Sequence, residues 1–265
     1  MNSVVLYCKT FNKDLNRTKN LLESVQKFNV DKIPFYISVP ENDIPLAINI
    51  LGKEGYEIIC EKEIVNEKLS DNHKTQQVVK AQFWKLNLCY NYVVVDSDSY
   101  FIKTFKRSDF LFDEKNNIPY TVMHECKDFL QFAAKKKLPH IKWYKDERRT
   151  LRLDVFDRIG KDFDFGPTPV IWNRNVWKSF EDNYLKQFNI SWLEAFNIFG
   201  ELLWYGESLL KFKEIEIMPI EPLFKVFHLK QQYEESKSET ITEEILSQNF
   251  FGIVMQSNWD SPLKY

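Results

Sequence analysis

Over the first hundred residues, short β-branched or aromatic runs alternate with longer amphipathic ones, the pattern of βα units on a largely parallel sheet. Strands are predicted at 4–9, 34–39, 56–60 and 92–96, and helices at 15–28, 44–51 and 75–88. In the first helix Leu21, Leu22, Val25 and Phe28 share a face. From Phe101 onward the pattern becomes irregular and richer in Trp, Phe and Tyr. It predicts a strand at 120–124 and helices at 127–136 and 142–159. A turn-rich stretch, 161–169, leads into an apolar strand at 170–172. Helices follow at 175–187 and 192–212, the latter broken near Gly200, with strands at 216–220 and 252–256. The expected fold class is therefore α/β, a Rossmann-type mostly parallel sheet flanked by helices. With neither repeat nor linker visible, the chain is expected to form one domain, 1–265, with halves 1–101 and 102–265.

Composition narrows the function classes. With 44% hydrophobic residues, 36 basic against 38 acidic side chains and 7 glycines, the chain is neither disordered nor collagen-like. A net charge of -2 gives no reason to expect nucleic acid. The longest apolar runs, such as Tyr92-Val93-Val94-Val95, fall far below the roughly 18 residues of a membrane span. The N-terminus reads as a strand rather than a signal peptide, so a cytoplasmic protein is expected. Cys8, Cys60, Cys89 and Cys126 form no C-x-x-C pair and are expected to be buried reduced thiols. No G-x-G-x-x-G or P-loop motif is present.

The sharpest local feature is Val95-Asp96-Ser97-Asp98, where an apolar strand ends in carboxylates one residue apart. Ligands of open α/β sheets collect at the carboxyl ends of strands, and two oxygens there suit a hard ion, Mn2+ or Mg2+. A solvated capping turn is the competing reading. On the preceding helix Gln76, Lys80 and Trp84 are four apart and share a face suited to a polar ligand, or simply to solvent.

Four segments together resemble a family of bacterial glycosyltransferases of the GT-A fold, encoded among capsule and lipopolysaccharide genes and long known as a domain of unknown function. They are Asp14-Leu15-Asn16-Arg17, Gln76-Gln77-Val78-Val79-Lys80, Val95-Asp96-Ser97-Asp98 and Pro167-Thr168-Pro169-Val170-Ile171-Trp172. Glu201-Leu202-Leu203-Trp204-Tyr205-Gly206 and Val254-Met255-Gln256-Ser257 match more weakly. The resemblance implies a GT-A-like, metal-dependent enzyme moving a sugar from a nucleotide-sugar donor to a glycan or lipid-linked saccharide acceptor in surface polysaccharide synthesis.

It further implies that Asp14, Arg17, Gln76, Gln77, Lys80 and Asp96 meet the donor. Asp96, Asp98 and the late His228 would hold the metal, and Pro167, Thr168, Trp172 and Tyr205 would face the acceptor. Asp14 serves equally as a helix cap, Arg17 as a surface charge and His228 as a core residue. Glu201, Glu207 and Asp164 are the candidate catalytic carboxylates. Glu201 comes first because it shares a helical face with Tyr205, while Glu207 points elsewhere.

From 135 to 152 eight basic residues stand against Asp146 and Glu147, a segment suited to peripheral membrane contact or to a solvated basic face. A sugar nucleotidyltransferase is the rival enzyme, although the first loop, Cys8-Lys9-Thr10-Phe11-Asn12-Lys13, lacks the glycines such enzymes use. A catalytically silent carbohydrate-binding protein is the rival from another class.

Overall fold

Each β-branched run of the first half becomes a strand of one twisted sheet. The computed structural model describes residues 1–65, 73–137, 140–227, 230–238 and 240–256. Its strands are β1 (Asn2–Lys9), β2 (Phe35–Val39), β3 (Glu57–Cys60), β4 (Cys89–Val94), β5 (Ser99–Phe101), β6 (Leu111–Asp113), β7 (Ile118–Val122), β8 (Val170–Asn173), β9 (Met218–Ile220), β10 (Phe224–Phe227) and β11 (Gly252–Met255). The main sheet has the order β3-β2-β1-β4-β8, the first four strands parallel and β8 antiparallel to β4. Two three-stranded sheets, β10-β11-β5 and β6-β7-β9, complete an α/β fold with helices packed on the sheets.

The register determines what meets at the carboxyl edge. Lys9 lies opposite Ser38, Val39 opposite Cys60, and Tyr7 opposite Val94. The Val95 amide donates to Tyr7 O at 2.9 Å, so Asp96 emerges where β1 also ends. Because β8 runs the other way, with Val170 opposite Val94, its beginning rather than its end lies at this edge. The segment before β8, containing Thr168, is thereby delivered to Asp96.

One continuous core joins both halves of the sequence. Tyr7 stacks on Phe83 at 3.9 Å, Tyr92 meets Trp172 edge-on at 5.8 Å, and Trp172 meets Trp177 at 5.0 Å. Such pairs contribute about 0.5–1.5 kcal/mol each beyond the area they bury. Much of the aromatic content of the second half is used in this way.

Where the pattern is regular, expectation and structure coincide: the helices Leu15–Phe28 and Ile44–Leu51 have the predicted bounds. Elsewhere they differ for local reasons. The predicted helix at 75–88 is a helix only over His73–Gln82 and tightens into a 3-10 turn, Phe83–Leu86, so Trp84 does not continue the Gln76–Lys80 face. The helix predicted at 142–159 is His140–Thr150 followed by a wider π-helical turn, Leu151–Val155. At 192–212 there are two helices, Trp192–Ile198, opened by a Ser191–Glu194 capping box, and Glu201–Phe212. Strands β5, β6 and β10 fall outside the predicted set. Of the four free cysteines only Cys8 and Cys89 are fully buried, while Cys60 and Cys126 are half-buried. Among the described residues no helix is long and apolar enough to cross a membrane.

Candidate functional site at the carboxyl edge of the sheet

Asp96 is held from two sides. Lys80 Nζ, on the helix His73–Gln82, donates to Asp96 Oδ1 at 2.5 Å, and the Thr168 hydroxyl donates to Oδ2. The Lys80 side chain is 9% exposed and that of Asp96 32%, so the pair sits at the boundary between core and surface. Burial opposes the Lys80 ammonium, but the carboxylates of Asp96 and Glu201 outweigh it and hold its pKa above the ordinary lysine value. Lys80 is therefore a fixed cation between two carboxylates supplied by different elements. Below Asp96, burial and then the negative charge of Asp96 push the Cys8 thiol far up, so Cys8 remains protonated packing. Asp98 is half-buried one turn further, where its carbonyl accepts from the Met255 amide at 2.8 Å and ties the segment to β11.

The helix bearing Lys80 does not present a solvated face: Gln77, Lys80 and Gln82 are buried, and Gln76 is half-buried. Glu201 opens the helix Glu201–Phe212 and is buried, with 9% of its surface exposed. That helix is brought against the segment before β8 by two glycines. A Cβ at Gly206 would stand 2.0 Å from the Phe165 ring, and one at Gly166 2.5 Å from Leu202 Cδ1. At Gly206 only hydrogen permits this approach, since the Phe165 ring blocks any Cβ, whereas at Gly166 the flexible end of Leu202 could give way.

Other predicted residues lie in different surroundings. Asp14 and Arg17 pair with each other at 2.8 Å beyond the end of β1. Glu207 is 1% exposed and receives both arms of Arg158, Nε at 2.6 Å and Nη2 at 2.8 Å. Trp172 is 1% exposed within the aromatic core, and the Tyr205 hydroxyl accepts from the Asn173 amide at 2.8 Å in the same core. Burial raises the Tyr205 pKa, in keeping with a neutral structural hydroxyl. His228 lies outside the described residues.

Asp164 is the centre of a second polar cluster. Its backbone pairs with that of His124, and its carboxylate receives the Tyr144 hydroxyl, Arg148 Nη2 at 3.1 Å and the Gly166 amide at 3.1 Å. Burial disfavours ionisation, but the Arg148 guanidinium and the Tyr144 hydroxyl hold this carboxyl below the ordinary aspartate range. Arg148 also stacks on the Tyr144 ring, 3.3 Å from its centroid.

His124 Nδ1 accepts from the Cys126 amide at 3.2 Å, which leaves its Nε2 to donate to Gly166 O at 2.6 Å. Among the described residues, His124, Cys126 and Asp164 are the one trio with metal-ligand atoms close together. All three are engaged with protein groups: burial and the neighbouring Asp164 push the Cys126 thiol up to about 12, and Arg148 is ion-paired with the Asp164 carboxylate. The trio is a hydrogen-bonded junction that anchors the segment leading to Thr168.

A cavity of about 830 Å³ opens beside this junction, with Pro167, one residue before Thr168, on one wall and Phe224, Lys225 and Val226 of β10 on another.

Residues 3–245 match a family of unknown function, DUF6492. The chain belongs to that family. No curated protein matches this DUF6492 member in sequence. Among solved structures it is similar to the apo crystal structure of mouse xyloside xylosyltransferase 1, with 10% identity, 98% of this chain and 99% of that chain covered, and a TM-score of 0.49.

Two charged groups of this DUF6492 member lie at the same edge without standing out in its sequence. Lys9, at the end of β1, is buried and bonded to Glu61 at 2.9 Å, just past the end of β3. A lysine closing an apolar strand is the one signal that could have drawn attention to it. Within the basic segment, Lys136 pairs with Glu235, Arg148 with Asp164 and Arg152 with Asp162, whereas Lys142, Lys145 and Arg149 are exposed.

Proposed function

We propose that this protein is a metal-dependent glycosyltransferase of GT-A type, a single domain that moves a sugar from a nucleotide-sugar donor to a glycan or lipid-linked acceptor in surface polysaccharide synthesis. The observation that carries the reading is the Lys80–Asp96–Thr168 arrangement next to Asp98 at the carboxyl edge of a parallel sheet. Such an edge is where nucleotide ligands of open α/β folds bind. The donor set fits Mn2+ or Mg2+, since Asp96 and Asp98 offer hard carboxylate oxygens. When bound, a divalent ion there would stabilise negative charge on the departing nucleotide.

The chain's own residues have distinct roles in this reading. Asp98 is the principal metal ligand and His228 a further one. Asp96, its two oxygens engaged by Lys80 and Thr168, is held in one orientation toward the same ion or the ribose. Lys80 neutralises Asp96 and, with Gln76 and Gln77 on the same helix, borders the donor. Lys9 and Glu61 bound the donor edge on the β1–β3 side, with Asp14 and Arg17 beyond them. Glu201, close enough to Lys80 to raise its pKa, is the general base for the acceptor hydroxyl. Glu207 and Asp164, each bound to an arginine, serve the frame around it. The exposed Lys142, Lys145 and Arg149 suit contact with an anionic membrane face from the cytoplasm.

Incubation with UDP-, GDP-, CMP- and dTDP-sugars in Mn2+ tests the reading. Release of free nucleotide from one of them, suppressed by chelation, is expected. No release from any, with or without an alkyl glycoside as acceptor, contradicts it.

A further inference from the structure

The cavity of about 830 Å³ has a size typical of small-molecule sites. Its lining is of two kinds. Phe129, Phe163, Phe224, Phe250 and Val226 supply apolar surface, and prolines 167, 219 and 222 add rigid apolar walls. Glu125, Lys127, Lys225 and Asn249 supply polar groups. A saccharide alone would leave most of the apolar surface facing water. A purely apolar ligand would strip water from the charged groups without replacing it. An amphiphile with a sugar at one end and an apolar carrier at the other satisfies both.

The orientation follows from the connections of the walls. Pro167 is bonded to Thr168, whose hydroxyl touches Asp96, so this wall lies toward the proposed transfer site. A second stretch of the lining, Phe224 to Val226, belongs to β10, which is separated by β11 from β5, the strand that follows Asp98, and so is further removed from the transfer site than Pro167. Phe250 lies just before β11, with the Lys225 ammonium 6.0 Å from its ring.

We propose that this cavity is the acceptor site and that it takes a saccharide carried on an apolar chain, the sugar at the Pro167 wall and the chain along Val226 and Phe250. The proposal rests on the glycosyltransferase reading and specifies the class of acceptor. Each methylene buried along that wall adds hydrophobic affinity, so an eight-carbon chain is expected to tighten binding by about tenfold or more over a methyl group.

The test is calorimetric titration of the full chain with paired methyl and octyl glycosides of glucose, galactose, mannose and N-acetylglucosamine, each below its micellar concentration. At least one octyl glycoside is expected to bind about tenfold or more tightly than its methyl partner. Phe250→Ala and Val226→Ser are each expected to remove most of that difference, while Mn2+-dependent nucleotide-sugar binding, measured on the same samples, shows that the variants are folded. Equal affinity for methyl and octyl partners, no binding of any octyl glycoside, or binding unchanged in both variants overturns the proposal. If nucleotide-sugar binding persists in those cases, the transferase reading survives the loss of the acceptor proposal. Octyl-glycoside binding at the cavity without any nucleotide-sugar binding supports the amphiphile site and counts against the transferase reading alone.

Discussion

The Thr168 hydroxyl reaches the Asp96 carboxylate across 72 positions of sequence, and it does so because β8 runs antiparallel to β4. A strand of the opposite sense would have put its other end at the site. The contact therefore couples the orientation of a candidate metal-binding carboxylate to the packing of the segment before β8.

Thr168→Val keeps the side-chain shape and removes the donor. A hydrogen bond to a charged group is worth about 1.5–3 kcal/mol, and only part of it bears on the ligand. Donor affinity in Mn2+ is expected to fall about tenfold, with the thermal midpoint little changed. Unaltered donor affinity would show that Thr168 has no part in positioning Asp96.

Glu201 and Glu207 share one helix and give opposite expectations. Glu201→Gln is expected to retain donor affinity and lose about a hundredfold in turnover, as for removal of a general base. Glu207→Gln takes the charge from a buried pair with Arg158 and is expected to lose about 3 kcal/mol of stability, read by urea unfolding. A stable Glu207→Gln variant with abolished turnover would exchange the two assignments.

Gly206→Ala forces a methyl group into the Phe165 ring. Overpacking of this kind costs about 1–3 kcal/mol, or more where the neighbour cannot move. Gly200→Ala, with open space around its Cβ, loses at most about 1 kcal/mol for a poorer helix cap and serves as control. Equal melting temperatures for the two variants would refute the close approach of this helix to the segment before β8.

The folded Asp164 carboxyl is held below its ordinary value of 3.8, so the unfolded chain takes up this proton first as pH falls. Its contribution is complete above pH 3.8 and is withdrawn as pH drops from there through the lowered folded value. Asp164→Asn leaves Arg148 without its carboxylate and is expected to cost about 3–5 kcal/mol at neutral pH. The gap to wild type should narrow below pH 3.8 in urea titrations. A gap independent of pH would place the contribution elsewhere.

How far the sequence could be read depended on whether each feature was local. Amphipathic periodicity carries the bounds of Leu15–Phe28 and Ile44–Leu51, and an apolar run ending in acids marks the edge bearing Asp96 and Asp98. Strands β5, β6 and β10 exist through their partners, β11 for both β5 and β10, and β7 for β6, and their own residues do not announce them. The pairs Lys9–Glu61 and Arg158–Glu207 join distant positions, so nothing in the neighbouring sequence announces them. The resemblance assigns Trp172 and Tyr205 to the acceptor, yet such rings fill a core equally well, and their burial decides where they serve. Gln77 and Lys80 could be placed on a helix, but whether that helix faced water or protein depended on the elements packed against it.

Calorimetry of the wild type and Asp98→Ala with nucleotide-sugars, in Mn2+ and in chelator, tests the central claim most directly. The account predicts that one nucleotide-sugar binds the wild type only in Mn2+, and that Asp98→Ala, still cooperatively folded, loses about a hundredfold or more of that affinity, as expected when one partner of a desolvated charge pair is removed. Equal affinity of the folded variant and the wild type in Mn2+, or wild-type binding indifferent to chelation, would contradict it.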